Sequence, residues 1–302
     1  MSLATASASA TRTPIQLLQA AWKRIAPLEL ADTTWDNVGV MIEAPFPKKD
    51  ARTVLLTIDL TIDVCKEALA LPNCSLVVSY HPPIFSGLKS ITLDNPLQGS
   101  LLKLAARGIS VFSPHTSLDS IEGGINTWLA SPFSDAASSM TPIQPKFPNP
   151  STAPAHLAQH ASAGMGRIVT FQDNKAMSLD EIVEKVKHHL GLQHVQLARP
   201  AASSTAPERI TSLAICAGSG GSLFKRVSAD CYLTGEMSHH ETLAMTQQGK
   251  SIIACNHSNT ERPYLAGVLR EWLEREMTEE DGQGEGWEVV VSEMDRDPLE
   301  VV

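Results

Sequence analysis

His81 in SYHPPIF, His115 with Asp119 in SPHTSLDS, and His257 with Glu261 in NHSNTER are the side chains of this sequence whose types and spacing suit metal chemistry. The four-residue spacing of the two pairs places both members on one side of a helical turn. A histidine with a carboxylate one turn later is a common source of two ligands for one ion. Imidazole and carboxylate together suit a divalent ion such as Zn, Mn or Fe, and the expectation is one or two per chain. Each residue also has a bland structural reading: a hydrogen-bonded strand-end histidine for His81, a cap with an Asx turn for His115 and Asp119, and a first-turn acid favoured by the helix dipole for Glu261. The two prolines after His81 hold it in a rigid extended turn.

Further polar groups collect nearby in the sequence. Glu236 in TGEMSHHE precedes His239 and His240. A zincin helix needs a second histidine where Ala244 stands, so Glu236 is read instead as a general acid or base, a role shared with His115. Gly218, Ser219, Gly220 and Gly221 in CAGSGGS form a strand-to-helix glycine turn whose backbone N–H groups suit a phosphate or other anion. A dinucleotide fingerprint is excluded because Leu223 occupies the third glycine position, and no Walker lysine follows. Ser219 with Asp230 and His257, in Ser, Asp, His order, makes a serine hydrolase a rival reading. Against it, Ala217 replaces the first glycine of the elbow, and Asp230 follows Ser219 too closely for a full βα crossover.

The elements that must position these residues are legible as short β-branched runs at 53–58, 76–80, 109–113, 167–171, 210–216, 231–235, 251–255 and 287–292. Helical patterns fall at 14–26, 61–71, 95–107, 178–190, 222–228, 237–248 and 262–280. That alternation predicts an α/β fold with mixed, mostly parallel sheets. The chemistry-bearing residues fall just after predicted strands, where open parallel sheets bind ligands. The first α/β region is expected at 1–135 and the second at 164–302, with 136–163, rich in Pro, Ser and Ala, as a linker or surface loop. The last strand, about 287–293, is a candidate to return to the first sheet.

The 302 residues carry a net charge of -9 and only 5% aromatic residues, without basic runs interleaved with aromatics, so direct nucleic-acid binding is not expected. No apolar stretch reaches the roughly 20 residues of a membrane helix. Five scattered cysteines without a CxxC pair point to a reducing compartment. A cytoplasmic location follows, with the acid-free start, residues 1–13 above all, as a candidate mitochondrial address or a tail.

The segments WDNVGVMIE (35–43), LTIDLTIDV (56–64), VVSYHPPIF (77–85), SPHTSLDSIEGGIN (113–126), GMGRI (164–168), CAGSGGS (216–222), DCYLTGEMSHHE (230–241) and NHSNTERP (256–263), in this order, resemble the NIF-three-like family. This is the Ngg-one-interacting-factor-three group, whose bacterial members carry the label GTP cyclohydrolase one, type two. The resemblance implies two interlinked α/β domains, a two-metal site, and dimers assembled into hexameric rings. It places the metal ligands on His81, Asp119, His257 and Glu261, with His115 beside them. Many members have two adjacent histidines before the proline; here Tyr80 takes the first place, and tyrosine is a poor ligand at neutral pH. The implied activity is metal-dependent hydrolysis of a nucleotide or other phosphate-bearing molecule. The alternative is a non-enzymatic metal-handling protein or a scaffold for protein partners, as the family's name suggests.

Overall fold

The structure is a computed structural model and describes residues 12–202, 204, 206–282 and 286–302. The candidate address lies, up to residue 11, outside the described residues.

Two mixed sheets organise the chain. The first contains β1 (Gly39–Ile42), β2 (Thr53–Thr57), β3 (Cys74–Ser79), β4 (Ser110–Ser113) and, from the far end of the sequence, β13 (Glu288–Val291), in the order β1-β4-β3-β2-β13. Its strands run parallel except β1, which is antiparallel to β4. All residues of β2, β3 and β4 are buried, as expected for a parallel sheet covered on both faces. Val54, Leu56, Leu76 and Val78 pack with helices α1 (Pro14–Ile25) and α10 (Arg270–Asp281); Leu55, Val77 and Val111 pack on the opposite side with α2 (Ile62–Ala70) and α3 (Pro96–Ala106).

The second sheet has the order β5-β8-β10-β11-β12-β9, built from β5 (Ala137–Thr141), β8 (Arg167–Phe171), β9 (Gln196–Ala198), β10 (Ser212–Ser219), β11 (Cys231–Glu236) and β12 (Ser251–Ala254). The central three run parallel; β8 and β9 flank them antiparallel, and β5 pairs antiparallel with β8. A two-strand ribbon of β6 (Gln144–Pro145) and β7 (Gly164–Met165) lies apart. One face of the second sheet is covered by α5 (Ile125–Ala130) and α6 (Leu179–Leu190), the other by α7 (Gly221–Phe224). The remaining α-helices among the described residues are α4 (Thr116–Ser120), α8 (His239–Gln247) and α9 (Arg262–Tyr264).

Two sequence expectations need correcting. The stretch expected as a linker or loop contains β5, an edge strand whose polar side chains are largely exposed, so it lacks the apolar signature of a strand. The helix expected at 262–280 is three pieces, α9, a π-helical turn at Leu265–Leu269 and α10, and it ends where Gly282 takes the left-handed conformation.

The last residues bind the two sheets together. After β13, Asp295 is buried and its Oδ2 accepts from the Ile58 backbone N–H at 2.9 Å and from Arg262 Nε at 3.1 Å. Asp297 accepts from the N–H and hydroxyl of Ser258. Asp295 therefore ties the end of β2 to the residue after Glu261. Removing one member of a buried charged pair leaves the other unpaired. Asp295→Ala should lower the unfolding free energy by about 2–4 kcal/mol in urea denaturation. A loss below about 0.5 kcal/mol would show that the tie is not structural.

Candidate metal centre

Both sheets point the carboxyl ends of their parallel strands toward one cavity of about 430 Å³. Asp59 follows β2, His81 follows β3 and His115 follows β4, while Ser219 ends β10 and His257 follows β12. His81, Asp119, His115, Gly218, Ser219, His257 and Glu261, all expected from the sequence, line this cavity. Glu236, Gly220 and Gly221 do not.

Within the cavity, His81, His257 and Glu261 bring one ligand atom each to within 4.8 Å of one another. Glu261 is 2% exposed and sits between the two rings, with Oε2 3.4 Å from His81 Nε2 and Oε1 3.6 Å from His257 Nε2. Tetrahedral ligands at about 2.1 Å from an ion stand about 3.4 Å apart, so the spacing needs little adjustment to hold one. Glu261 Oε2 is buried and has no hydrogen-bond donor. A buried carboxylate oxygen left so is costly unless a cation meets it. The donor set therefore fits a divalent ion.

Behind the imidazoles stands a set of carboxylates. His81 Nδ1 lies 3.0 Å from Asp59 Oδ1, His257 Nδ1 lies 2.9 Å from Glu236 Oε1, and His115 Nδ1 lies 2.6 Å from Asp36 Oδ1. A carboxylate on Nδ1 fixes the tautomer that leaves Nε2 as the ligand and raises its basicity. Glu236, expected as an acid or base, thus backs His257 from outside the cavity. Burial disfavours the charged form of His81, but the Asp59 and Glu261 carboxylates outweigh it and raise its pKa to about 10. In Asp59 and Asp36 desolvation is likewise outweighed, by His81 and by His115 with Thr116 respectively, and both stay below the usual carboxylate range.

Asp119 also lines the cavity but is not in the three-residue cluster. Its Oδ1 accepts from the Tyr80 hydroxyl at 2.7 Å, and burial, countered by the His115 charge and that hydroxyl, raises its pKa to about 6. Tyr80 is itself buried; desolvation and the Asp119 and Glu261 charges push its pKa well up, so it stays a neutral donor. His115 adopts φ 35°, a conformation rare for a non-glycine residue. Asp36 stabilises it by also accepting from the N–H and hydroxyl of Thr116. Strain of this kind persists where the surroundings over-determine it.

The glycine turn, expected to suit an anion, has two of its four N–H groups engaged within the protein. Gly218 N–H donates to Thr260 Oγ1 and Gly220 N–H to Thr234 Oγ1, and the carboxylate of Glu241 lies where a side chain at Gly221 would go. Its use is close approach: a Cβ on Gly218, at φ 62°, would stand 2.7 Å from Glu261 Oε1 and 2.9 Å from His257 Nε2. Asp230 accepts from Thr211 and Ser212, and Glu236 is the carboxylate at His257, so the Ser219, Asp230, His257 triad is not assembled. His239 and His240 begin α8 and are exposed.

Sequence reading missed Asp36 and Asp59 as partners of the histidines, and the pair Trp35 and Phe85 on the cavity wall. The signal available was their place in WDNVG, LTIDL and HPPIF, three of the segments that carry the family resemblance.

Comparison with known proteins agrees with this architecture. Protein NIF3 homolog of Schizosaccharomyces pombe is 44% identical over 90% of this chain and 92% of its own length. NGG1-interacting factor 3 of Saccharomyces cerevisiae is 39% identical over 98% and 99%. The crystal structure of a Bacillus cereus protein related to NIF3 shares the fold, with a TM-score of 0.75 and 19% identity across 95% of this chain and 98% of that one. Residues 14–298 match the profile of the family described as Duf34/NIF3 (NGG1p interacting factor 3), and the chain belongs to that family.

Proposed function

We propose that the protein is a metal-dependent hydrolase-like member of its family, with an ion held by His81 Nε2, His257 Nε2 and Glu261. The observation that carries this reading is the buried, donorless Glu261 Oε2 between two imidazoles whose Nδ1 atoms face carboxylates. A divalent ion bound there supplies a Lewis acid and, at neutral pH, an activated water. Zn, Mn and Fe all suit the donors.

The chain's own residues do the rest. Asp59 and Glu236 orient the ligand rings. Asp119, held by Tyr80, adjoins the cluster and is the group for a second ion. Tyr80, at the position where many family members have a ligand histidine, donates a hydrogen bond to Asp119 and so positions that carboxylate. His115, gripped by Asp36 at Nδ1, presents its other nitrogen for proton transfer. Burial of Tyr80, Thr116, Asp119 and Glu261 keeps bulk water away from the cavity floor.

A second reading, a scaffold for protein partners, is favoured by the name of the budding-yeast relative, an interacting factor. The free, buried state of all five cysteines supports a reducing compartment, cytoplasmic or mitochondrial. Among the described residues no helix is long and apolar enough to cross a membrane. Assembly into a homo-oligomeric ring is part of the proposal and is read by light scattering.

Elemental mass spectrometry on untagged protein tests the metal reading. His257→Ala and Glu261→Gln should each abolish stoichiometric metal without loss of circular-dichroism signal; metal retained in both would overturn the ligand set. Tyr80→Phe should keep the metal of the three-residue cluster, whereas its loss would make the phenol a ligand. Gly218→Ala should weaken metal binding at least tenfold, about 1.4 kcal/mol, because its Cβ intrudes between two ligands. Unchanged affinity, measured by competition with a chelating dye, would show that the ligands tolerate displacement.

A further inference from the structure

The mouth of the same cavity has a character of its own. Trp35 and Phe85 stand there 51% and 50% exposed, with ring centroids 5.9 Å apart, and both line the cavity. His115 stands edge-on to both, at 84° to Trp35 and 73° to Phe85. Half-exposed aromatic faces beside a polar floor form a stacking platform for another flat ring.

Charge decides what that ring carries. Among the described residues no lysine or arginine lines the cavity, whereas Asp59, Asp119 and Glu261 do. Arg262, next in sequence to Glu261, is spent on Asp295 and Ser258. Arg167 is buried against the carbonyls of Ile121, Gly164 and Gly166. The N–H groups of Gly218 and Gly220 are likewise engaged. A triphosphate would add about four negative charges to those of Asp59, Asp119 and Glu261 with no guanidinium or ammonium to meet them, and even two divalent ions offset only about four of that total.

We infer that the cavity takes a planar heteroaromatic ring without a phosphate chain, stacked on Trp35 and Phe85 with its reacting edge directed at the histidines. This rests on the proposed centre for the position of the reacting edge, but the stacking itself does not need the ion. Of the nucleotide expected from the sequence, the ring is what the walls select.

The test compares guanosine, adenosine, GTP and ribose 5-phosphate by calorimetric titration against metal-loaded and chelator-treated protein. Expected is saturable binding of at least one nucleoside in both preparations, with GTP and ribose 5-phosphate at least tenfold weaker. Trp35→Ala should lose at least tenfold in nucleoside affinity while metal content is unchanged. Phe85→Ala should behave alike, and Trp35→Phe should retain most of the binding. Nucleoside binding absent from both preparations, a triphosphate preferred over its nucleoside, or indifference to Trp35→Ala would each overturn the inference. Wild-type protein that takes up no metal but still binds a nucleoside through Trp35 would refute the metal centre and leave the ring site standing.

Discussion

A carboxylate with almost no access to water, Glu261, is lodged between two imidazoles, and much of the surrounding structure can be understood as the means of keeping it there. Burial of an ionised group costs several kcal/mol unless charge or hydrogen bonds compensate. Oε2 lies 3.4 Å from His81 Nε2 but accepts no hydrogen bond, so a cation is the natural counter-charge. The carboxylates behind the rings strengthen that arrangement: Asp59 and Glu236 set the tautomers that direct Nε2 inward.

Convergence of these groups comes from topology. The parallel strands of both sheets end at the cavity, so residues far apart in sequence, such as His81 and His257, meet with centroids 5.1 Å apart. Small residues permit the approach: Gly218 leaves room for Glu261 and His257, and Gly235 lets the backbone at His257 come close. Insertion of β13 beside β2 then brings Asp295 to the junction, where it bonds the residue before Asp59 and the residue after Glu261. One interaction thus bears on both halves of the centre, through Asp59 on His81 and through Arg262 on Glu261.

Strand positions and site were legible in the sequence to different degrees and for physical reasons. The buried strands β2, β3, β10, β11 and β12 announce themselves because sheets covered on both faces require continuous apolar runs. Edge strands β5 and β9 carry partly exposed, mixed side chains and leave no such trace. His81, His257 and Glu261 were findable because strand ends and the four-residue spacing single them out. Asp36, ahead of β1, and Asp59, after β2, were not, since a lone aspartate beside a strand end reads as a turn residue until its partner is seen. The glycine turn is a mixed case: its composition suits an anion, but Thr260 and Thr234, distant in sequence, take the N–H groups of Gly218 and Gly220. Glu236 was placed correctly at a strand end, while its direction, toward the outer nitrogen of His257, depends on three-dimensional pairing.

The central claim is a place for an ion between His81, His257 and Glu261, and anomalous diffraction from crystals soaked in zinc tests it most directly. The account predicts a strong anomalous peak with both Nε2 atoms and a Glu261 oxygen about 2.0–2.2 Å away, whether or not a second ion occupies Asp119. A peak confined to Asp119 and His115, or no peak beside Glu261 at full soak, would contradict it.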